Sequence, residues 1–163
     1  MITVFVDADA CPVKDEIYRV AKRLGLRVLV VANGRLTVPH DPNIELVVVP
    51  KGALDAADDW IAERADDASI VVTQDIPLAA RSLAKGAKAL DPRGRVFTDE
   101  AIGDALATRE LMAQLRDMGT ITGGPAPFTD RDRSKFLQSL DTVVQKVMKA
   151  AKSKPPIHGD GRL

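Results

Sequence analysis

Asp7 and Asp9 follow a short apolar run, Ile2-Thr3-Val4-Phe5-Val6, and Asp75 follows another, Ile70 to Thr73, after the single residue Gln74. Asp55 and Asp58 come after a third run, Ile44 to Val49, and stand about one helical turn apart, so they face the same way. Carboxylates brought this close repel, and burial sharpens the penalty, so such a cluster persists only if protonated, paired with cations or holding a metal ion. Lys14, Lys51 and Arg81 are the nearest cations in sequence and offset part of that charge. Oxygen donors without clustered Cys or His point to Mg²⁺ or Mn²⁺. An ion held there would activate water and neutralise a phosphate, which is the chemistry of phosphodiester hydrolysis. Each acid also has a structural use, because Asp is a favoured helix cap and all of them stand near a helix start. Capping does not, however, require acids at the ends of two strands.

The remaining reactive side chains carry less. Cys11 opens a helix, where the dipole lowers a thiol pKa, but Asp7 and Asp9 nearby raise it, so a small buried residue is the expectation. His40, between Pro39 and Asp41 in a polar loop, and His158, near the last residue, have no placed partner. Pro92-Arg93-Gly94-Arg95 could present two guanidinium groups to a phosphate, and Arg131, Arg133 and Lys135 raise the same question, although a solvated surface is the commoner use of such residues.

The elements that must position the acids follow from the pattern. Ile2 to Val6, Arg27 to Ala32, Ile44 to Val49 and Ile70 to Thr73 have the composition of strands buried on both sides. Helical spacing runs from Val13 to Leu24 with Gly25 as a stop, from Asp55 to Ala65, from Ile76 to Lys85 before Gly86, and from Asp99 to Arg116. A Gly and Pro-rich connection leads to a last helix that starts near Thr129 with Asp130 and Asp132 in its first turn. Its apolar stripe runs Phe136, Leu137, Leu140, Val143, Val144, Val147, Met148 and Ala151, which suits packing on the sheet or on a second copy, so the chain is expected as a monomer or homodimer. Strands alternating with helices imply a three-layer α/β fold with a mainly parallel sheet. In such a sheet ligands bind beyond the carboxyl ends of the strands, where Asp7, Asp9 and Asp75 fall.

A chain of 163 residues suits one domain, expected over residues 1–152, with a frayed tail from Ser153. The 23 basic residues balance the 23 acidic ones, so no global field draws the protein to nucleic acid or membrane and any such binding must be local. One cysteine forms no internal disulfide, and the apolar runs are too short for a signal core or a membrane span, so the cytoplasm is the expected compartment.

Several motifs together resemble the YaiI/YqxD family of uncharacterised bacterial proteins, related to the PIN-like nuclease superfamily. They are Val6-Asp7-Ala8-Asp9-Ala10-Cys11-Pro12, Val31-Ala32-Asn33, Asp55-Ala56-Ala57-Asp58, Thr73-Gln74-Asp75-Ile76-Pro77-Leu78-Ala79, Lys85-Gly86-Ala87, Pro92-Arg93-Gly94, Leu115-Arg116, Thr122-Gly123-Gly124-Pro125 and Asp130-Arg131-Asp132-Arg133. The resemblance covers most of the chain to about Leu140. It implies a PIN-like fold in which Asp7, Asp58 and Asp75 hold Mg²⁺ or Mn²⁺, with Asp9 as an additional ligand or water-orienting base and Arg93 or Arg133 against a phosphate. The substrate implied is RNA or single-stranded DNA. Two other readings stand beside the nuclease. Asp7-Ala8-Asp9 after a buried strand also resembles the haloacid-dehalogenase phosphatases, with Thr73 and Lys85 as later motifs, and a module that binds nucleic acid or nucleotide without turnover would use the same fold.

Overall fold

The computed structural model describes residues 1–9, 11–50, 55–119 and 127–153. Five strands, β1 (Thr3–Asp7), β2 (Arg27–Ala32), β3 (Ile44–Val48), β4 (Ser69–Val72) and β5 (Lys88–Leu90), form one sheet in the order β3-β2-β1-β4-β5. Every pairing is parallel. Side chains alternate across the pleat, so Val4, Val6, Val28, Val30, Ile70 and Val72 enter one core while Phe5, Leu29, Val31, Val71 and Ala89 enter the other. Helices α1 (Lys14–Leu24) and α5 (Asp130–Ser153) cover the first face, and α2 (Ala56–Arg64), α3 (Ile76–Ala84) and the start of α4 (Asp99–Asp117) cover the second. This is the expected three-layer α/β arrangement, with the sheet wholly parallel.

The helix ends follow their local chemistry. Gly25 closes α1 in the left-handed region at φ 68°, which a residue without Cβ adopts freely. Thr98 caps α4 by accepting the Ala101 N–H at 3.0 Å. At α5, Thr129 Oγ1 accepts the Asp132 N–H while Asp132 Oδ2 accepts the Thr129 N–H, a reciprocal capping box at the start expected for that helix.

One strand is new, and three others shift at their ends by a residue: β4, expected over Ile70 to Thr73, runs Ser69–Val72, and β3 stops at Val48 short of Val49. β5 was not expected. Its three residues, between Gly86 and Pro92, are too few to show a period, and pairing along β4, with Ile70 beside Lys88 and Val72 beside Leu90, makes the strand. β1 also runs one residue beyond Val6, so Asp7 is its last strand residue. The tail from Lys154, the motif at Thr122 to Pro125, Lys51 and His158 lie outside the described residues.

Candidate active site

The strand order reverses between β1 and β4: the chain proceeds from β1 through β2 to β3 on one side, then crosses back to place β4 and β5 on the other. The carboxyl ends of β1 and β4 therefore flank the crevice where parallel sheets bind ligands. Asp7 ends β1 on the Phe5 side of the pleat, facing the layer of α2 and α3. Thr73 follows β4 in register beside it, and its hydroxyl donates to Asp7 Oδ2 at 2.8 Å. The same hydroxyl oxygen accepts the Asp75 N–H at 3.0 Å. Asp75 in turn caps α3, with Oδ1 accepting the Leu78 N–H at 2.8 Å. A chain of hydrogen bonds thus couples the acid of the first strand to the acid of the fourth, and Asp75 serves as cap and cleft residue at once.

α2 supplies the opposite wall. Asp55 precedes it at φ 63°, a left-handed value that Asp tolerates better than most residues, and makes no capping bond with its side chain. Asp58 follows in the first turn. Asp7, Asp9, Asp55, Asp58 and Asp75 all line one open cleft of about 810 Å³.

Burial raises the Asp7 pKa above its ordinary value, and Asp9 and Asp75 add to the rise against the opposing Thr73 hydrogen bond. Asp58 is pushed up to about 6, first by burial and then by Asp75, Asp7 and Asp55, with Arg81 acting against them. The repulsion expected from the sequence is therefore present and only partly offset, because Arg81 is itself held by Asp59 at 2.8 Å. Among the described residues, no three Asp, Glu, His or Cys side chains are close enough to grip a metal ion on their own. A carboxylate has about four lone-pair sites, so the bonds made by Asp7 and Asp75 leave each with coordinating capacity.

Residues 5–146 match the family described as "Uncharacterized BCR, YaiI/YqxD family". The chain belongs to the YaiI/YqxD family. It is 58% identical over 151 residues to a UPF0178 protein of Rhodospirillum centenum, covering 90% of this chain and 97% of that one. It is 53% identical over 150 residues to a UPF0178 protein of Rhodopseudomonas palustris strain BisB18, covering 92% and 96%. No solved structure matches the chain.

Within this YaiI/YqxD chain the motifs sort into two places. The Asp7-Ala8-Asp9 and Gln74-Asp75 segments form the cleft with the α2 acids. Arg93 and Arg133 do not line it. Arg93 pairs with Asp132 at 2.9 Å, and its guanidinium lies 5.6 Å from the Phe128 ring centre. Arg133 donates to the Pro12 carbonyl at 2.7 Å and approaches Glu16 at 3.4 Å. These contacts tie the start of α5 to the loop of Pro92 and to the segment that follows Asp9. Lys85 stands at the far end of α3, away from the cleft. Cys11 is buried, and burial raises its thiol pKa, while His40 is exposed.

Three residues of this region escape the sequence reading. Thr73 stands in the sequence as a strand end and a motif residue with no link to Asp7, yet strand register alone would place it beside that acid. Arg35, two residues past Asn33, lines the cleft from the segment after β2, and the rule about strand ends that selected Asp7 would have reached it. Arg109, in the middle of α4, also lines the cleft and carries no sequence signal, because a tertiary contact between helices brings it there.

Proposed function

We propose that this protein is a divalent-cation-dependent phosphodiesterase that cleaves single-stranded RNA or DNA in the cytoplasm. The convergence of five carboxylates in one cleft at the β1/β4 switch point carries this reading. Acids with raised pKa values and incomplete compensation mark a site arranged for a ligand, at a cost to stability that a folding role alone would not demand. In this reading Asp7 and Asp75 hold Mg²⁺ or Mn²⁺, with Asp58 engaged directly or through water. The bound cation supplies charge neutralisation at the phosphate and lowers the pKa of water. Thr73 keeps Asp7 oriented by its hydrogen bond and, through the Asp75 N–H, fixes the spacing of the two acids. Asp9, exposed at the cleft, orients the attacking water. The phosphatase alternative is weakened by the position of Lys85, which a phosphoryl group at Asp7 would need close by.

The test is cleavage of labelled single-stranded RNA and DNA with Mn²⁺ by the wild type and by Asp7→Asn and Asp75→Asn. Loss of about a hundredfold or more in both variants is expected from removal of a charged ligand. Equal rates in all three proteins would refute the hydrolytic reading. Asn retains the capacity to cap α3, so the Asp75→Asn result reports charge at the site and leaves the helix start intact.

A further inference from the structure

Arg35 and Arg109 enter the cleft from opposite flanks. Arg35 follows β2, on one side of β1, while Arg109 belongs to α4, which packs on α3 on the β4 side. Arg109 lies about two turns beyond Ile102, the buried anchor of α4, and so shares the helix face turned toward the body. Both arginines line a cleft shared with five acids, and no ion pair or hydrogen bond joins either of them to those acids among the described residues. Elsewhere in the molecule an arginine beside an acid pairs with it, as Arg81 does with Asp59 at 2.8 Å and Arg23 with Asp141 at 2.8 Å. Both Arg35 and Arg109 are exposed, so no burial forces them toward the cleft.

We propose that Arg35 and Arg109 bind the backbone phosphates on either side of the scissile one, so that a single strand crosses the cleft from β2 to α4. The inference rests on the phosphodiesterase reading and specifies its substrate as an internal stretch of single-stranded nucleic acid. An acidic centre repels a polyanion, and a cation held among the acids neutralises one phosphate only. The neighbouring phosphates then need their own partners, and planar guanidinium forks at the two rims meet that need. A cleft of about 810 Å³ holds a short stretch of extended strand. Phosphate contacts carry no base information, so RNA and DNA are bound alike through these two residues.

The experiment is fluorescence anisotropy of labelled oligouridylate and oligothymidylate with Mn²⁺, from about 50 mM to about 200 mM salt, with cleavage followed on gels from the same samples. Arg35→Ala and Arg109→Ala are each expected to weaken binding about fivefold and to flatten the dependence of log affinity on log salt by about 0.7, the single-strand value for one lost phosphate contact. Arg35→Lys and Arg109→Lys keep the salt slope. Arg19→Ala, exposed on α1 across the sheet, binds like wild type. Wild-type affinity and slope in both alanine variants would overturn the proposal, as would a loss confined to RNA or a wild-type protein that binds neither oligonucleotide. Cleavage persisting in Asp7→Asn would remove the hydrolytic reading while the binding result stood, so the two failures are distinguishable.

Discussion

Thr73 is only 2% exposed, and its hydroxyl touches both strand-end acids. Replacing it with Val keeps the volume but strips Asp7 of a donor and the Asp75 N–H of an acceptor. Thr73→Val is therefore expected to cost about 1–2 kcal/mol in urea denaturation, the penalty for buried polar groups left unmatched. It should also raise the Asp7 pKa further, since that hydrogen bond is what lowers it, and NMR titration of the carboxyl would show the change. Asp58 makes the opposite kind of prediction. Its pKa is about 6 when folded against an ordinary 3.8, so the folded state binds more protons between those values and stability falls as pH rises through the interval. Asp58→Asn should match wild type below about pH 4 and exceed it above about pH 6 by roughly 1 kcal/mol, a figure discounted for partial exposure. Thermal melts across that range measure it. Asp7 and Asp75 were legible in the sequence because each stands next to a β-branched run, whereas the link through Thr73 depends on which strands pair, and no local pattern states that.

At the scale of elements, what local pattern encodes came through and what packing supplies did not. The Val13-to-Leu24 spacing and the Thr129 cap specified α1 and the start of α5, because periodicity and capping act within a few residues. β5 arises from its neighbour β4, and Arg109 reaches the cleft because α4 packs on α3. The Pro92-Arg93-Gly94 motif shows the same division. As sequence it offers a guanidinium to phosphate. In the fold it is a buttress: Ser139 Oγ donates to the Gly94 carbonyl at 2.7 Å, and a Cβ on Gly94 would stand 2.8 Å from the Lys135 carbonyl oxygen. Gly94 also sits at φ 86°. Backbone meets backbone there, so neither side has a flexible end to move away. Gly94→Ala is expected to destabilise by about 2–3 kcal/mol, combining left-handed strain with the clash. The Arg93–Asp132 ion pair should loosen with it. Chemical denaturation checks the first effect, and hydrogen exchange at the start of α5 checks the second.

Over the whole molecule the 23 basic and 23 acidic side chains cancel, yet their placement does not. Acids gather at the carboxyl edge of the sheet, while Lys135, Lys146, Lys149 and Lys152 stand exposed along α5 on the opposite layer. Net neutrality therefore does not describe the acidic edge that a ligand of the cleft meets. The acidic edge is a local cost to folding at neutral pH, and a divalent cation bound only by the folded state would reverse it. At a hundredfold excess over its dissociation constant such a ligand stabilises by about 2.7 kcal/mol, which for a chain of this size raises Tm by about 5–10 °C. Mg²⁺ or Mn²⁺ should produce that rise near pH 7.5 and a much smaller one near pH 5, where Asp58 is protonated and fewer charges attract the ion. Asp7→Asn should remove most of the rise at either pH. Asp58→Asn should start from a higher Tm without metal and gain less on its addition, because the repulsion that weakens the free protein is what the cation relieves. Thermal melts with and without metal separate these outcomes. A wild-type Tm indifferent to both cations at neutral pH would leave the acids without the ligand that their crowding calls for.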